Sequence, residues 1–307
     1  MKKKIYWLML SAVLSLLTLS GCNLLQSNQF STIKIASMNT TESSIMANMI
    51  AELIEHETSY KTTLISNLGS SSVAHQALLR KDADIAATRY TGTDITGTLG
   101  LKAVKDPTKA AEIVKKEFSE RFDQTWFPSY GFSDTYAFMV TSDFAEQNKI
   151  KTISDLGQYA QTAKAGVDST WMNRQGDGYS DFTKTYGFAF KNIYPMQIGL
   201  VYDAVASDKM QVVLGYSTDG RIPSYYLTLL EDDKQFFPPY EASMVVNNSL
   251  LKKYPKLKKL LHRLDGKISL QTMQRLNYQV DDTLLEPSVV AKQFLKENHY
   301  FREEDEQ

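Results

Sequence analysis

The chain of 307 residues contains a single cysteine, Cys22, and only four histidines. One thiol cannot form an internal disulfide, and it cannot supply a cysteine cluster for a metal site. His56, His75, His262 and His299 are scattered and show no spacing typical of paired metal ligands. The sequence also lacks a nucleophile elbow, a P-loop and a dinucleotide fingerprint. We therefore expect no metal, no cofactor and no catalytic residue.

An excess of charge of one sign is also lacking, because 34 basic and 35 acidic residues give a net charge of −1. The chain therefore offers no basic field that would attract nucleic acid. Lysines and leucines alternate between residues 251 and 261, and we interpret this stretch as a helix with a solvated basic face. The length suits one large or two medium domains.

The N-terminal sequence predicts that the protein is exported and attached to the membrane. An almost uncharged apolar run over residues 5–19 leads into Leu19-Ser20-Gly21-Cys22. The run is shorter than the ~20 residues that span a bilayer, so residues 1–21 are interpreted as a signal peptide. The pattern resembles a lipobox, which predicts Cys22 as the site of lipid attachment; a plain secretory signal is the alternative. Residues 22–30 are interpreted as a tether, and residues 302–307 as a charged tail.

Two segments share a layout of helix, charged turn, apolar strand and small polar turn. The strand of the first ends in Tyr90, and the strand of the second ends in Tyr216. Ligands of open α/β sheets bind at the carboxyl ends of strands. Two such α/β lobes facing each other would place Tyr90 and Tyr216 on opposite walls of one cleft.

Two apolar runs, Thr135–Val140 and Tyr240–Val246, are suited to connect the lobes. Segments that cross between lobes line the floor of a hinge cleft, so Tyr136 and Tyr240 are predicted to lie beside the ligand. The lobes that follow from two crossings are residues 31–138 with 243–301, and residues 139–242. The predicted fold is therefore α/β, with two lobes, a ligand cleft between them and two crossover segments.

Four tyrosines that converge from two lobes would make an aromatic box. Aromatic faces attract a cation and match a methyl surface, so such a box suits a quaternary ammonium group, which has no N–H to donate. Tyrosine is common here, with 17 in the chain, and most tyrosines only pack with their hydroxyl at the surface. Asn39 and Glu42 follow the first strand with the spacing of a capping box, and N–H groups near Asn39 are candidates for binding the polar end of a ligand.

Short motifs with these residues occur in a fixed order along the mature chain. They are Asn39-Thr40-Thr41-Glu42, Tyr90-Thr91-Gly92-Thr93, Asp134-Thr135-Tyr136-Ala137, Gly176-Asp177-Gly178-Tyr179, Gly215-Tyr216-Ser217-Thr218-Asp219-Gly220 and Pro238-Pro239-Tyr240-Glu241. Together with the lipobox, they resemble the substrate-binding lipoproteins of osmoprotectant ABC transporters for glycine betaine, carnitine and choline. The resemblance implies a periplasmic-binding-protein fold of type II, with Tyr90, Tyr136, Tyr216 and Tyr240 as the cage. It also implies a membrane permease with a cytoplasmic ATPase as partners, a monomer, and a place outside the membrane.

Two positions qualify the resemblance. Met38 stands where relatives often carry a glutamine that can hydrogen-bond the polar end of the ligand. Thr93 stands where choline-preferring relatives carry aspartate, and a neutral threonine suits a zwitterion. The sequence does not rank betaine, carnitine and choline. A lipoprotein for another solute, such as an amino acid, and a surface hydrolase or adhesion module remain as alternatives.

Overall fold

The structure is a computed structural model that describes residues 32–174 and 176–301. Cys22, the signal peptide, the tether and the charged tail lie outside the described residues. The described chain from Ile33 onward belongs to one compact unit. No helix in the described ranges combines the length and the hydrophobicity that crossing a bilayer requires.

Ten strands and twelve helices make up the described chain. The strands are β1 Ile33–Met38, β2 Thr62–Leu68, β3 Ile85–Tyr90, β4 Gln124–Trp126, β5 Tyr136–Thr141, β6 Lys164–Asp168, β7 Asn192–Met196, β8 Val212–Tyr216, β9 Leu227–Leu229 and β10 Ala242–Asn247. The helices are α1 Thr41–Glu57, α2 Ser71–Leu79, α3 Thr91–Gly97, α4 Pro107–Phe122, α5 Ser142–Asn148, α6 Tyr179–Tyr186, α7 Ile198–Ala206, α8 Arg221–Ser224, α9 Asn248–Lys253, α10 Pro255–Leu261, α11 Leu270–Asp281 and α12 Pro287–Glu297. Short 3-10 turns lie at Ser154–Tyr159, Trp171–Asn173 and His262–Leu264.

The strands form two sheets of five, in the orders β2-β1-β3-β10-β4 and β7-β6-β8-β5-β9. β1, β2 and β3 are parallel, and so are β6, β7 and β8, whereas β10 and β5 run antiparallel to their neighbours. The carboxyl ends of parallel strands meet at one edge of each sheet, which brings Tyr90 and Tyr216 to such edges. The predicted α/β class is confirmed.

The chain crosses from the first sheet to the second over residues 127–135, and it returns over residues 230–241. Tyr136 already pairs with Tyr216 inside the second sheet, so the predicted lobe boundary after residue 138 falls within β5. Tyr240 lies at the end of the return segment, just before β10. The division of the chain into two moving lobes stays a prediction.

Each sheet carries its own hydrophobic core. The core of the first sheet contains the inner face of α1 together with residues of α11 and α12, such as Leu276 and Leu295. The predicted packing of the C-terminal helices on this sheet is therefore confirmed. The core of the second sheet is rich in aromatic rings, with Phe138, Trp171 and Phe182 buried together. Two further clusters of buried residues, around Phe118 and around Tyr202, pack against the same two sheets, so each sheet is a rigid support for the residues at its edge.

The start of α1 differs from the prediction. Thr40, and not Asn39, is the N-cap, because its hydroxyl accepts a hydrogen bond from the N–H of Ser43 at 3.4 Å. Glu42 does not return to the cap as a capping box requires; its carboxylate accepts a hydrogen bond from the Tyr90 hydroxyl. The lysine-leucine stretch has exposed lysines and a buried Leu257, as predicted, but it forms two helices, α9 and α10, and not one, because Pro255 begins a new helix.

Candidate functional site

All seven residues predicted to bind the ligand line one cavity of about 290 Å³. This volume is at the small end of the range for ligand pockets, so the cavity suits a small solute. The lining residues are Met38, Asn39, Thr40, Gly69, Ser70, Ser71, Tyr90, Thr93, Asp134, Tyr136, Arg174, Tyr216 and Tyr240. They come from both sheets and from both segments that cross between them.

Tyr136 and Tyr216 form one wall as a cross-strand pair. They are directly opposite each other on the antiparallel strands β5 and β8, and their ring centroids are 5.3 Å apart. The hydroxyl of Tyr202 fixes the backbone of Tyr216, because it accepts from the Tyr216 N–H at 2.7 Å and donates to its carbonyl at 3.1 Å. Tyr216 is 37% exposed and Tyr136 only 6%, so the Tyr216 ring is the more open of the two.

Tyr90 and Tyr240 belong to the first sheet and its border. Tyr90 ends β3, where it pairs with Ala242 of β10, two residues after Tyr240. Gly92, two residues after Tyr90, connects the two segments by a hydrogen bond: its N–H donates to the carbonyl of Pro239 at 3.0 Å. A Cβ at Gly92 would lie 2.7 Å from that carbonyl oxygen and 3.1 Å from the Tyr240 ring. The absence of a side chain there therefore permits the close approach that sets the position of Tyr240.

Three of the four cage hydroxyls donate to buried carboxylates behind the rings. Tyr90 donates to Glu42, Tyr136 donates to Asp168 at 2.7 Å, and Tyr240 donates to Asp177 at 2.8 Å. Glu42, Asp168 and Asp177 are 3%, 3% and 5% exposed, and none of them lines the cavity. Burial raises the pKa of all three phenols, with the carboxylates adding to the effect. The three phenols therefore stay protonated at physiological pH and act as hydrogen-bond donors.

Arg174, which was not predicted as a site residue from the sequence, brings a positive charge to the cavity. Its Nε and Nη2 donate to the two carboxylate oxygens of Asp177, each at 2.9 Å, and Nη2 also donates to the Tyr240 hydroxyl at 2.8 Å. The guanidinium lies 5.5 Å from the ring centroid of Tyr136. Nη1 receives no partner from the described residues, so it is available to a ligand.

Met38, Asn39 and Thr93 also line the cavity, the first two at the end of β1 and the third on α3. The Met38 sulfur accepts from the Ser71 hydroxyl at 3.5 Å, so its weak acceptor capacity is already used. The N–H of Asn39 donates to the carbonyl of Leu68 at 3.0 Å within the sheet, which removes this group from the candidates for ligand binding. Thr93 is half-buried in the first turn of its helix.

Asp134 is the acidic residue that lines this cavity. It accepts from the Thr218 hydroxyl at 2.9 Å, and its pKa is raised well above the usual range by burial and then by the charge of Glu42. Burial likewise raises the pKa of Glu42, although its hydrogen bonds oppose the shift. Asp134 and Glu42 also line an adjacent polar cavity of about 430 Å³.

A larger cavity of about 890 Å³ is also lined by Tyr136, together with residues of both crossing segments. It includes no tyrosine other than Tyr136, and its remaining lining comes mainly from loops such as those at Lys105 and Pro238. We do not regard it as the ligand site, because all four tyrosines line the smaller cavity and only Tyr136 lines this one. Among the described residues, no group of histidine, cysteine and acidic side chains has the arrangement of a metal site.

Known proteins resemble this chain over nearly all of its length. The model of the substrate-binding domain of ABC-type glycine betaine transport systems matches residues 31–297. The chain is 54% identical to the carnitine transport binding protein OpuCC of Listeria monocytogenes over 98% of this chain and 99% of the relative. It is 30% identical to the glycine-betaine-binding protein of Pseudomonas aeruginosa, over 88% of this chain and 89% of that protein.

Solved structures give the same result for the fold. A crystal structure described as a glycine betaine/carnitine/choline ABC transporter superposes with a TM-score of 0.85 at 52% identity, covering 88% of this chain and all of the other. The apo form of YehZ from Escherichia coli superposes with a TM-score of 0.76 at 25% identity, over 88% and 99% of the two chains. The predicted type of fold and the predicted resemblance are therefore confirmed, and the relatives are transport binding proteins.

Proposed function

The chain belongs to the family of substrate-binding domains of ABC-type glycine betaine transport systems, and from this premise we propose that it captures a quaternary-ammonium osmolyte in the tyrosine box. The observation that carries the proposal is the convergence of Tyr90, Tyr136, Tyr216 and Tyr240 on one small cavity. A trimethylammonium group presents methyl surface on every side, which aromatic faces match and a single carboxylate does not.

The box alone comes close to the affinity that such a protein needs. Each desolvated cation–ring contact contributes ~0.5–2 kcal/mol, so four contribute roughly 2–8 kcal/mol. Micromolar binding requires about 8 kcal/mol net. Contacts to the other end of the ligand, and exclusion of water when the two sheets approach, therefore have to supply the remainder.

We propose that the other end of the ligand is a carboxylate. Arg174 provides a positive charge at the cavity wall, with Nη1 facing no described partner. Thr93 adds a neutral hydroxyl without repelling an anion, and the first turn of α1 adds backbone N–H groups beside Thr40. These features favour the zwitterions glycine betaine and carnitine over choline. They also compensate for Met38, whose sulfur is a weak acceptor.

The test is titration calorimetry with the protein lacking residues 1–22. Glycine betaine, carnitine and choline are the ligands, and glycine and lysine are the unmethylated controls. We expect saturable binding of the trimethylammonium compounds, tightest for the zwitterions, and loss of at least tenfold in affinity in Tyr90→Ala. Binding of glycine or lysine with similar affinity would instead support an amino-acid-binding protein and contradict the box.

We further propose that the mature protein is a monomer, lipid-anchored through Cys22 on the outer face of the cell membrane. In this position it delivers its ligand to a permease driven by a cytoplasmic ATPase, and it carries out no chemistry on the ligand. The family membership supports the transporter. The signal sequence and its Leu19-Ser20-Gly21-Cys22 ending support the anchor. Labelling with a radioactive fatty acid, lost in Cys22→Ala, tests the anchor.

A further inference from the structure

The carboxylates behind the tyrosine box have an arrangement that simple packing does not require. Each of three tyrosines, Tyr90, Tyr136 and Tyr240, is connected by its hydroxyl to a different buried acid from a different part of the chain. We call these three acids, Glu42, Asp168 and Asp177, the carboxylate ring. A buried phenol needs one acceptor, and a backbone carbonyl serves as well as an acid. Tyr130, for example, donates to the carbonyl of Ala87 at 2.6 Å.

Two members of the carboxylate ring lack a basic partner. Asp177 forms an ion pair with Arg174, but neither Glu42 nor Asp168 is paired with any lysine, arginine or histidine of the described residues. Asp168 accepts from the hydroxyls of Tyr136 and Thr170, and Glu42 accepts from that of Tyr90. A buried carboxylate without a counter-ion is destabilising. A cation held inside the box would lie one tyrosine ring away from both acids.

We infer that the carboxylate ring consists of positioning residues that make the box selective for a permanent positive charge. Each acid holds its tyrosine ring in place by accepting from the hydroxyl, and Asp168, which is buried without a basic partner among the described residues, also acts on the ligand through the ring by its negative charge. The inference rests on the proposed function, since it assumes a cation in the box.

The chemistry favours this position for the charges over one inside the box. A phenol that donates to a carboxylate forms a charge-assisted hydrogen bond and gains electron density, which makes its ring face more attractive to a cation. The acids themselves offer the ligand no acceptor, because they do not line the cavity. A primary ammonium therefore loses its hydration without gaining a hydrogen bond to them, whereas a trimethylammonium group loses little.

Asp168 is the residue on which to test the inference. Asp168→Asn removes the charge and keeps an oxygen that accepts from Tyr136. Tyr136→Phe removes the hydrogen bond and keeps the charge, since Thr170 still donates to Asp168. Asp203→Asn is the matched control, because Asp203 also accepts from a tyrosine, Tyr225, at 3.1 Å but is exposed and outside the cavity.

We expect Asp168→Asn to weaken glycine betaine binding about tenfold and Tyr136→Phe to weaken it about threefold. The double variant should be weaker than either single variant, and Asp203→Asn should bind like the wild type. The neutral tert-butyl analogue, with carbon in place of nitrogen, is measured by competition. Its affinity should change less than twofold in Asp168→Asn.

Two results would overturn the inference. One is an Asp168→Asn protein that binds glycine betaine within twofold of the wild type. The other is an equal loss in both single variants and the double variant, which would mean that Asp168 only orients the ring. If Asp168→Asn does not fold, Asp168→Ser, which also removes the charge and keeps an oxygen that can accept from Tyr136, repeats the same comparison. Failure of the wild type to bind any trimethylammonium compound would contradict the proposed function instead, so the two failures are distinguishable.

Discussion

Replacing Gly220 by alanine tests how the second sheet meets the helices of the first. Gly220 has φ −65° and ψ −21°, values that alanine adopts freely, so the substitution introduces no backbone strain. The difficulty is steric. A Cβ at Gly220 would lie 2.4 Å from the Tyr278 nitrogen and 2.6 Å from its Cα, both in the backbone of α11. A backbone contact cannot move aside as the tip of a side chain can.

The size of the effect follows from the displacement. Carbon requires about 3.5 Å from such atoms, so the segment at Gly220 and α11 must separate by roughly 1 Å. Two hydrogen bonds cross the same contact: Gln274 Nε2 donates to the Ser217 carbonyl at 2.7 Å, and Asn277 Nδ2 donates to that of Thr218 at 2.8 Å. A shift of that size breaks both, and overpacking of this kind costs about 1–3 kcal/mol. If the contact forms when the sheets close on the ligand, affinity falls about 5- to 150-fold.

The assay is calorimetric titration with glycine betaine, together with thermal unfolding of the ligand-free protein. Gly199→Ala is the control, since its Cβ would meet nothing nearer than Arg221 at 4.0 Å. Weakened binding with an unchanged unfolding temperature would place the contact in the closed form. A lower unfolding temperature as well would make it a permanent contact. A Gly220→Ala protein that binds and unfolds like the wild type would refute the reasoning.

Two further predictions concern stability. Burial, and then Arg89, lowers the pKa of His75 from 6.5 to about 4. The unfolded state therefore takes up the proton first, and the free energy of unfolding falls by up to about 3 kcal/mol as pH drops from about 6.5 towards about 4. Urea unfolding should show this fall in the wild type but not in His75→Leu. An equal pH slope in both proteins would contradict the prediction. The Arg89–Asp94 pair is fully buried, so Asp94→Asn leaves the Arg89 charge uncompensated and should lower the free energy of unfolding by about 3–5 kcal/mol in urea unfolding. The control Asp82→Asn removes an exposed partner and should lower it by less than about 1 kcal/mol. Equal losses in the two variants would contradict this explanation.

Some features could be predicted from the sequence because they depend on local patterns. Tyr90 and Tyr216 each end an apolar strand, and the carboxyl ends of such strands meet at the cleft by the geometry of the α/β sheet. The packing of α10 follows from leucines and lysines at helical spacing. The start of α1 was wrong by one residue, because Asn39 and Thr40 are both good caps and only the path of β1 decides between them.

The partners of the tyrosines could not be predicted in the same way. Tyr90 is 48 residues from Glu42 along the chain, Tyr136 is 32 from Asp168, and Tyr240 is 63 from Asp177. No local period connects positions that far apart, and acids in turns are usually solvated caps. Glu42 was misread for this reason, since its spacing from the start of α1 also fits a capping box.

The two kinds of residue divide the task of recognition. Four tyrosines line the cavity, and the hydroxyls of three of them donate to acids that do not line it. The one acid that does line the cavity, Asp134, has a raised pKa and so carries its charge less readily than an exposed aspartate. A site with an ionised acid inside would bind lysine and polyamines as well. With Asp168 behind the Tyr136 ring, attraction for a cation is retained, while an N–H donor gains no readily ionised acceptor inside the cavity, which is how the proposed box would favour full methylation.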